Sequence, residues 1–380
     1  MKSNNSLSLG LTFDDILLLP NYSDFNRKDI NLETQLTKKI KLRVPFVSAP
    51  MDTVTESELA IALAKVGGIG IIHRNLTIND QVSEIKKVKA QKYIVGAAIG
   101  VNKGYEERVE ALVKANVDVI CIDSAHGFTS LMIDAVQFLK KKHPRTEIIA
   151  GNIATYDGAI ALIKAGADGL RVGMGAGAIC TTRIISGMGV PQLTAIMEAV
   201  RAGKEHGVPI IADGGIKYSG DMVKAFAAGS STVMMGGFFA AALEAPGKIV
   251  DLKSEQVPAR FKSILRKDVA SYKFKEYRGM GSVGAMKKGE KIKSEDEFHG
   301  KSYKDRVLVA EGVESLIPIK GTIQEICDQA IGGIKSGMYY VGTKTIPELQ
   351  TKTKFIQITQ ASLTESHPHD VLITNPGENY

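Results

Sequence analysis

Between residues 45 and 235 the chain repeats one unit: a short apolar or β-branched run, a loop holding Gly, Asp or Ser, then an amphipathic helical stretch. Strands are predicted at 45–48, 69–73, 94–98, 117–122, 147–150, 169–172, 209–212 and 232–235. Helical spacing fills the intervals at 57–65, 105–115, 128–142, 156–165, 191–205 and 219–228. Several helices close on a glycine, as in Ala165-Gly166-Ala167-Asp168 and Ala228-Gly229-Ser230, where a left-handed cap turns the chain into the next strand. Continuous apolar strands alternating with helices belong to the α/β class and call for a parallel sheet covered on both faces. Eight of them are the number needed to close a (β/α)8 TIM barrel. A doubly wound open sheet is the competing arrangement, and no GxGxxG follows the first strand to support it. The barrel is therefore expected, as one domain over 1–380.

Before the first strand, Leu11-Thr12-Phe13-Asp14-Asp15-Ile16-Leu17-Leu18-Leu19-Pro20 reads as an apolar lead-in and 32–41 as a hairpin-like arm. After the eighth, 271–320 is rich in Lys, Gly and polar residues with no steady period, which predicts a long lid. A final helix over about 323–336 and a C-terminal tail follow.

Composition narrows the class of function. No apolar run reaches the roughly 18–20 residues that span a bilayer, so no membrane role is expected. The start, MKSNNSLSLG, has no apolar signal core, and the three cysteines show neither metal spacing nor a disulfide framework. A cytoplasmic, reducing compartment is expected. The net charge is +7, yet the lysines are scattered and not interleaved with aromatics. That pattern favours small phosphorylated ligands over nucleic acid.

In such a barrel the loops after the strand C-termini build the site. They are Ala49-Pro50-Met51-Asp52, Asp123-Ser124-Ala125-His126-Gly127, Gly151-Asn152, Asp213-Gly214-Gly215 and Gly236-Gly237. The loop after the sixth strand is Gly173-Met174-Gly175-Ala176-Gly177-Ala178-Ile179-Cys180-Thr181-Thr182-Arg183. A cysteine on a glycine-rich polar loop with an arginine close by suits a thiolate nucleophile better than a packing role. The glycine pairs after strands seven and eight fall where barrels bind phosphate, and Asp213 beside them could hold a ribose diol.

These residues together resemble the inosine-5′-monophosphate (IMP) dehydrogenase family. The likeness rests on Cys180 in its loop, Asp213-Gly214-Gly215-Ile216, Tyr277-Arg278-Gly279-Met280-Gly281-Ser282, Phe13-Asp14-Asp15, Met51-Asp52-Thr53-Val54-Thr55-Glu56, Glu244-Ala245-Pro246-Gly247 and Glu365-Ser366-His367-Pro368-His369-Asp370-Val371. It runs in order over nearly the whole chain. The resemblance implies NAD-dependent oxidation of IMP to xanthosine monophosphate, within guanine nucleotide synthesis. The Cys180 thiolate would add to C2 of the purine, hydride would leave for NAD, and the adduct would be hydrolysed.

By the same resemblance Asp213 and Gly214 would meet the ribose, while Gly215, Gly236, Gly237 and Ala178 would lie at the phosphate. Met51, Tyr277, Gly279, Met280, Gly281 and Glu311 would complete the nucleotide site. Asp123, Ser124, Asn152, Arg171 and Gly173 would face the cofactor, with Thr182 and Arg306 acting on the hydrolytic water. Carbonyls of Gly175, Gly177 and Cys180, with Glu365, Ser366 and His367 of a neighbouring subunit, would bind a potassium ion, which also implies a homotetramer.

The chain departs from the family pattern in four places. The regulatory pair of cystathionine-synthase-like (CBS) modules is missing between about 89 and 93. Ala178 and Gly237 replace phosphate-side hydroxyls; a hydrogen bond to a charged partner is worth roughly 1.5–3 kcal/mol, so losing two predicts ~100-fold weaker binding unless backbone amides compensate. Arg306 lacks its usual tyrosine neighbour, being followed by Val307. Ala125 replaces a small polar residue. GMP reductase and a non-catalytic nucleotide-binding homologue are the alternatives; the Tyr277–Ser282 motif and the long lid speak against the first, and intact Cys180, Thr182 and Asp213 against the second.

Overall fold

A computed structural model describes residues 7–258, 261, 265, 269–292, 309–371 and 373. Its centre is a closed barrel of eight strands: β1 (Phe46–Ser48), β2 (Ile69–Ile72), β3 (Gly96–Ile99), β4 (Val119–Asp123), β5 (Glu147–Ile153), β6 (Gly169–Val172), β7 (Ile210–Asp213) and β8 (Thr232–Met235). All neighbours are parallel, and β8 returns to β1 with Val233 opposite Phe46 and Met235 opposite Ser48. Every expected strand is present, two with the expected bounds and the others with ends shifted by at most three residues. Around it run α1 (Ser57–Val66), α2 (Ile78–Ala90), α3 (Tyr105–Lys114), α4 (Ser130–Lys142), α5 (Tyr156–Ala165), α6 (Gln192–His206) and α7 (Ser219–Ala227). Threonine N-caps open α2, α4 and α5, where Thr77, Thr129 and Thr155 accept a backbone N–H of the first turn. From α2 the chain passes by a short turn into β3, with no inserted module.

Strand side chains alternate between two cores. Val47, Val119, Cys121, Ile149, Ile211 and Met234 fill the barrel interior, while Ile120, Ile148, Leu170, Ile210 and Val233 face the helices. The same alternation carries polar residues inward at the C-terminal rim: Asp123 continues the row of Val119 and Cys121, and Asp213 continues that of Ile211. The opposite mouth is stoppered by the expected arm, an antiparallel hairpin of Thr34–Gln35 with Lys41–Leu42. Its Leu36 and Leu42 join the interior core, and Thr37 Oγ1 donates to buried Glu147 at 2.8 Å. The lead-in segment contains a strand, Ile16–Leu18, paired antiparallel with Phe355–Gln357.

Two expectations need correction. The segment 271–320 is not aperiodic throughout. Ser271–Arg278 (β10) is the central strand of an antiparallel sheet between Ile249–Lys253 (β9) and Glu314–Pro318 (β11), and Val283–Lys291 forms helix α8. The period is obscured because Lys275 is buried; its ammonium donates to the carbonyls of Leu243, at 2.6 Å, and Ala245. The final helix, α9 (Ile323–Val341), also runs beyond 336. Gly337 follows the expected end, but packing of α9 on α7 carries the helix through it despite the low propensity of glycine.

Leu36 tests the stopper. Leu36→Ala should destabilise the protein by about 2–5 kcal/mol in denaturant melts, the range for a large-to-small change in a tight core. Catalytic parameters should be unchanged, since Leu36 lies at the end of the barrel away from the polar rim. A near-neutral change would show that this core tolerates a void.

Candidate functional site

At the C-terminal rim the strand-end loops border one cleft that is open to solvent. One wall is the glycine-rich loop between β6 and the short helix Thr182–Ser186; facing it is the turn after β10. Gly173 opens the loop at φ +149°, and a methyl there would come within 2.0 Å of the Asp213 carbonyl oxygen, so only glycine lets β6 leave the barrel this way.

Half-buried Cys180 ends this loop. Its Sγ lies 3.1 Å from Thr182 Oγ1, and that hydroxyl donates to Glu311 Oε2 at 2.9 Å. A hydroxyl has one proton to give. With it given to Glu311, the oxygen faces the sulfur as an acceptor, making a path from thiol to carboxylate. Backbone contacts fix the arrangement: Thr181 N–H donates to Glu311 O at 3.0 Å, and Val313 N–H to Ile179 O at 3.0 Å. The cation expected beside the sulfur is engaged elsewhere. Arg183 donates through Nε to Met174 O at 3.0 Å and through Nη2 to Val190 O at 2.6 Å, so it braces the loop.

The cleft floor is ionic. Arg171, inside the barrel on β6, donates to Asp213 Oδ2 at 2.9 Å and pairs with Asp123. Burial works against its charge, but the two carboxylates outweigh it and push its pKa up. Asn152 Nδ2 donates to the same Asp213 Oδ2 at 2.7 Å and to Gly173 O at 2.8 Å. Among the described residues both side-chain bonds to Asp213 fall on Oδ2, which leaves Oδ1 for a ligand. Arg74, on the loop after β2, stands 3.5 Å from Asp123 on the other side.

Across the cleft, burial and the charge of Asp213 push the Tyr277 phenol up, so it stays protonated at neutral pH. A methyl on Gly237 would stand 3.5 Å from its oxygen. A methyl on Gly236 would stand 2.8 Å from that oxygen and 2.9 Å from Met51 Sδ, so the loop after β8 is packed closely on this wall.

The expected residues Met51, Asp123, Ser124, Asn152, Arg171, Gly173, Gly175, Gly177, Cys180, Thr182, Asp213, Gly214, Gly236, Tyr277, Gly279, Met280, Gly281 and Glu311 all line this one cleft. Six others among the described residues do not. Ala178 is exposed, Gly215 sits behind Ala176, and Gly237 reaches the cleft only through its contact with Tyr277. Glu365 and Ser366 are exposed, and the His367 ring lies 6.3 Å from the Tyr218 ring, outside the cleft lining. Arg306 lies outside the described residues. Arg74, Met286 and Val309 also line the cleft and were missed. Arg74 could have been found, because it follows a strand C-terminus as Asp123 and Asp213 do.

Among the described residues no cluster of three or more His, Cys, Asp or Glu could hold a metal, and no helix is long and apolar enough to cross a membrane. All three cysteines are free; burial pushes the Cys121 and Cys327 thiols up to about 12. Iodoacetamide at pH 8 should therefore label Cys180 in the native protein and spare the other two, as read by peptide mass mapping. Comparable labelling of Cys121 would contradict the sealed interior.

Residues 10–369 match the family model described as IMP dehydrogenase / GMP reductase domain. An inosine-5′-monophosphate dehydrogenase of Borreliella burgdorferi is 42% identical, covering 95% of this chain and 97% of that protein. One from Cryptosporidium parvum is 40% identical, covering 99% and 98%. One from Aquifex aeolicus is 38% identical, covering 98% and 97%. The Aquifex alignment needs 499 positions and the Borreliella alignment only 411, so the Aquifex protein carries segments that this 380-residue chain lacks. With its barrel, its cysteine loop and this full-length likeness, the chain belongs to the IMP dehydrogenase / GMP reductase family.

Proposed function

We propose that the protein is an NAD-dependent IMP dehydrogenase acting through Cys180. The observation that carries this is the meeting, in one cleft, of a sulfur with a hydroxyl–carboxylate partner and an aspartate with one free oxygen. The relatives reported above are all named IMP dehydrogenases, which disfavours the GMP reductase alternative.

In this reading Asp213 Oδ1 accepts from the ribose hydroxyls. Met51, Met280 and Gly281 border the base, and the phosphate lies toward Gly214 and Gly236. Tyr277, protonated and beside Gly236, supplies a hydroxyl on the side where Gly237 has none. Cys180 Sγ bonds to C2 of the hypoxanthine ring and loses its proton through Thr182 to Glu311. NAD, when bound, takes the hydride that leaves C2. Water then attacks the same carbon, giving a proton along the Thr182–Glu311 path, and the carbon–sulfur bond breaks to release xanthosine monophosphate and the thiol. Water must be excluded from the first step and admitted to the second, a task suited to the 271–320 segment as flap of a single catalytic domain spanning 1–380.

The donor set fits the cofactor and ion that the family implies. Asp123 and Ser124 border the cleft beside Cys180, with a carboxylate and a hydroxyl for a nicotinamide riboside, and Arg171 holds Asp123 in place. Backbone carbonyls of Gly175, Gly177 and Cys180 are the hard oxygen ligands that a potassium ion takes. Glu365, Ser366 and His367 of an adjacent subunit would complete that shell in a homotetramer. Free cysteines suit a cytoplasmic enzyme.

Mixing the protein with IMP and NAD should produce NADH, faster with potassium than without, and Cys180→Ala should abolish turnover while IMP still binds in calorimetry. NADH formation by Cys180→Ala would end the covalent reading. NADPH consumption with GMP, and none of the first reaction, would assign a reductase.

A further inference from the structure

The flap sheet is fastened to the barrel at a buried joint that the mechanism above does not use. Asp52, two residues after the loop leaves Pro50, has a fully buried side chain. Arg278, at the end of β10, donates to it through both nitrogens of one guanidinium edge, Nε to Oδ1 at 3.0 Å and Nη2 to Oδ2. The Arg278 backbone N–H donates to Thr53 Oγ1 at 3.2 Å. Asn75, from the loop after β2, gives one amide proton to Asp52 Oδ2 at 2.9 Å and the other to the Ala285 carbonyl at 3.2 Å, in the first turn of α8. Burial alone would raise the Asp52 pKa; the Arg278 contacts outweigh it and hold the carboxyl below its usual range.

Apart from Thr53, each residue of this joint has a neighbour in sequence that lines the cleft. Met51 precedes Asp52, and Arg74 precedes Asn75. Tyr277 and Gly279 flank Arg278, and Met286 follows Ala285. The joint is therefore the back of the wall that the flap contributes. A two-point guanidinium–carboxylate contact fixes angle as well as distance, and an angular error at Arg278 passes directly to Tyr277 and Gly279.

We propose that Asp52 is a positioning residue: through its buried pair with Arg278 it sets the flap wall at the angle that binds the nucleotide. This rests on the reading of the cleft as an IMP site. Wall contacts are made in ground and transition states alike, so losing their alignment weakens binding without slowing the chemical steps.

The test is a cycle of Asp52→Asn, Arg278→Gln and the double variant, measured by IMP calorimetry and NADH kinetics on the full chain. Asp52→Asn should raise the IMP dissociation constant and KM about tenfold, within the range of coupling between contacting residues, with kcat within about twofold. Adding Arg278→Gln should cost nothing further, because the pair acts as one unit and the two amides can bond each other. A folded Asp52→Asn that binds IMP as wild type does, or losses that add in the double variant, would overturn the inference. So would a fall in kcat at unchanged KM. Should Asp52→Asn fail to fold, Arg278→Gln at the more exposed end must show the same tenfold loss, and an unchanged KM there is contrary. Wild-type protein that binds no IMP would overturn the nucleotide reading and this inference together; normal wild-type behaviour with an unaffected variant overturns this inference alone.

Discussion

Closure of the barrel is the constraint on which the rest depends. When β8 pairs with β1, eight strand ends are brought to one rim, and residues more than 150 apart in sequence become neighbours. The interior alternation then decides what occupies that rim. Rows that begin as Val119-Cys121 or Ile211 finish as Asp123 and Asp213, so the apolar plug below and the ionic floor above are one pattern read upward. Arg171 resolves the conflict that this creates. Two carboxylates at the end of an apolar barrel would repel each other, and a buried guanidinium shared between them offsets that repulsion and ties each to one fixed group.

The sulfur is served by a different kind of order. Among the described residues no buried ion-pair network surrounds Cys180; its position follows from a loop that only glycine allows to leave β6, braced by Arg183 on one side and laced to Glu311 and Val313 on the other. Loops of this sort change shape at small cost compared with a strand. A nucleophile that must first meet a ring and then admit water is well placed on one. The rigid floor recognises, and the pliant wall reacts.

Much of this was legible in the sequence because it is local. Strand runs, glycine caps and the polar residues at strand ends need no tertiary knowledge, and they placed Cys180, Asp213, Asp123 and Asn152 on one face of a barrel. What escaped depends on contacts between distant segments. Arg183 sits three residues from Cys180 yet turns to Met174 and Val190, so nearness in sequence misled about the charge around the sulfur. Lys275 hides a strand because a charged residue there lies buried with its ammonium on backbone carbonyls. Glu311 was expected only as a nucleotide contact, and nothing in its surroundings in sequence points to the Thr182 hydroxyl 129 residues earlier.

The central claim is that Cys180 forms a transient bond to the purine. It is tested most directly by quenching the working enzyme in acid with IMP and NAD present and mapping the intact and digested protein by mass spectrometry. The account predicts a fraction of chains heavier by one nucleotide, with the added mass on the peptide containing Cys180 and absent when NAD is omitted. NADH accumulating under the same conditions with every Cys180 peptide unmodified at all quench times would contradict it.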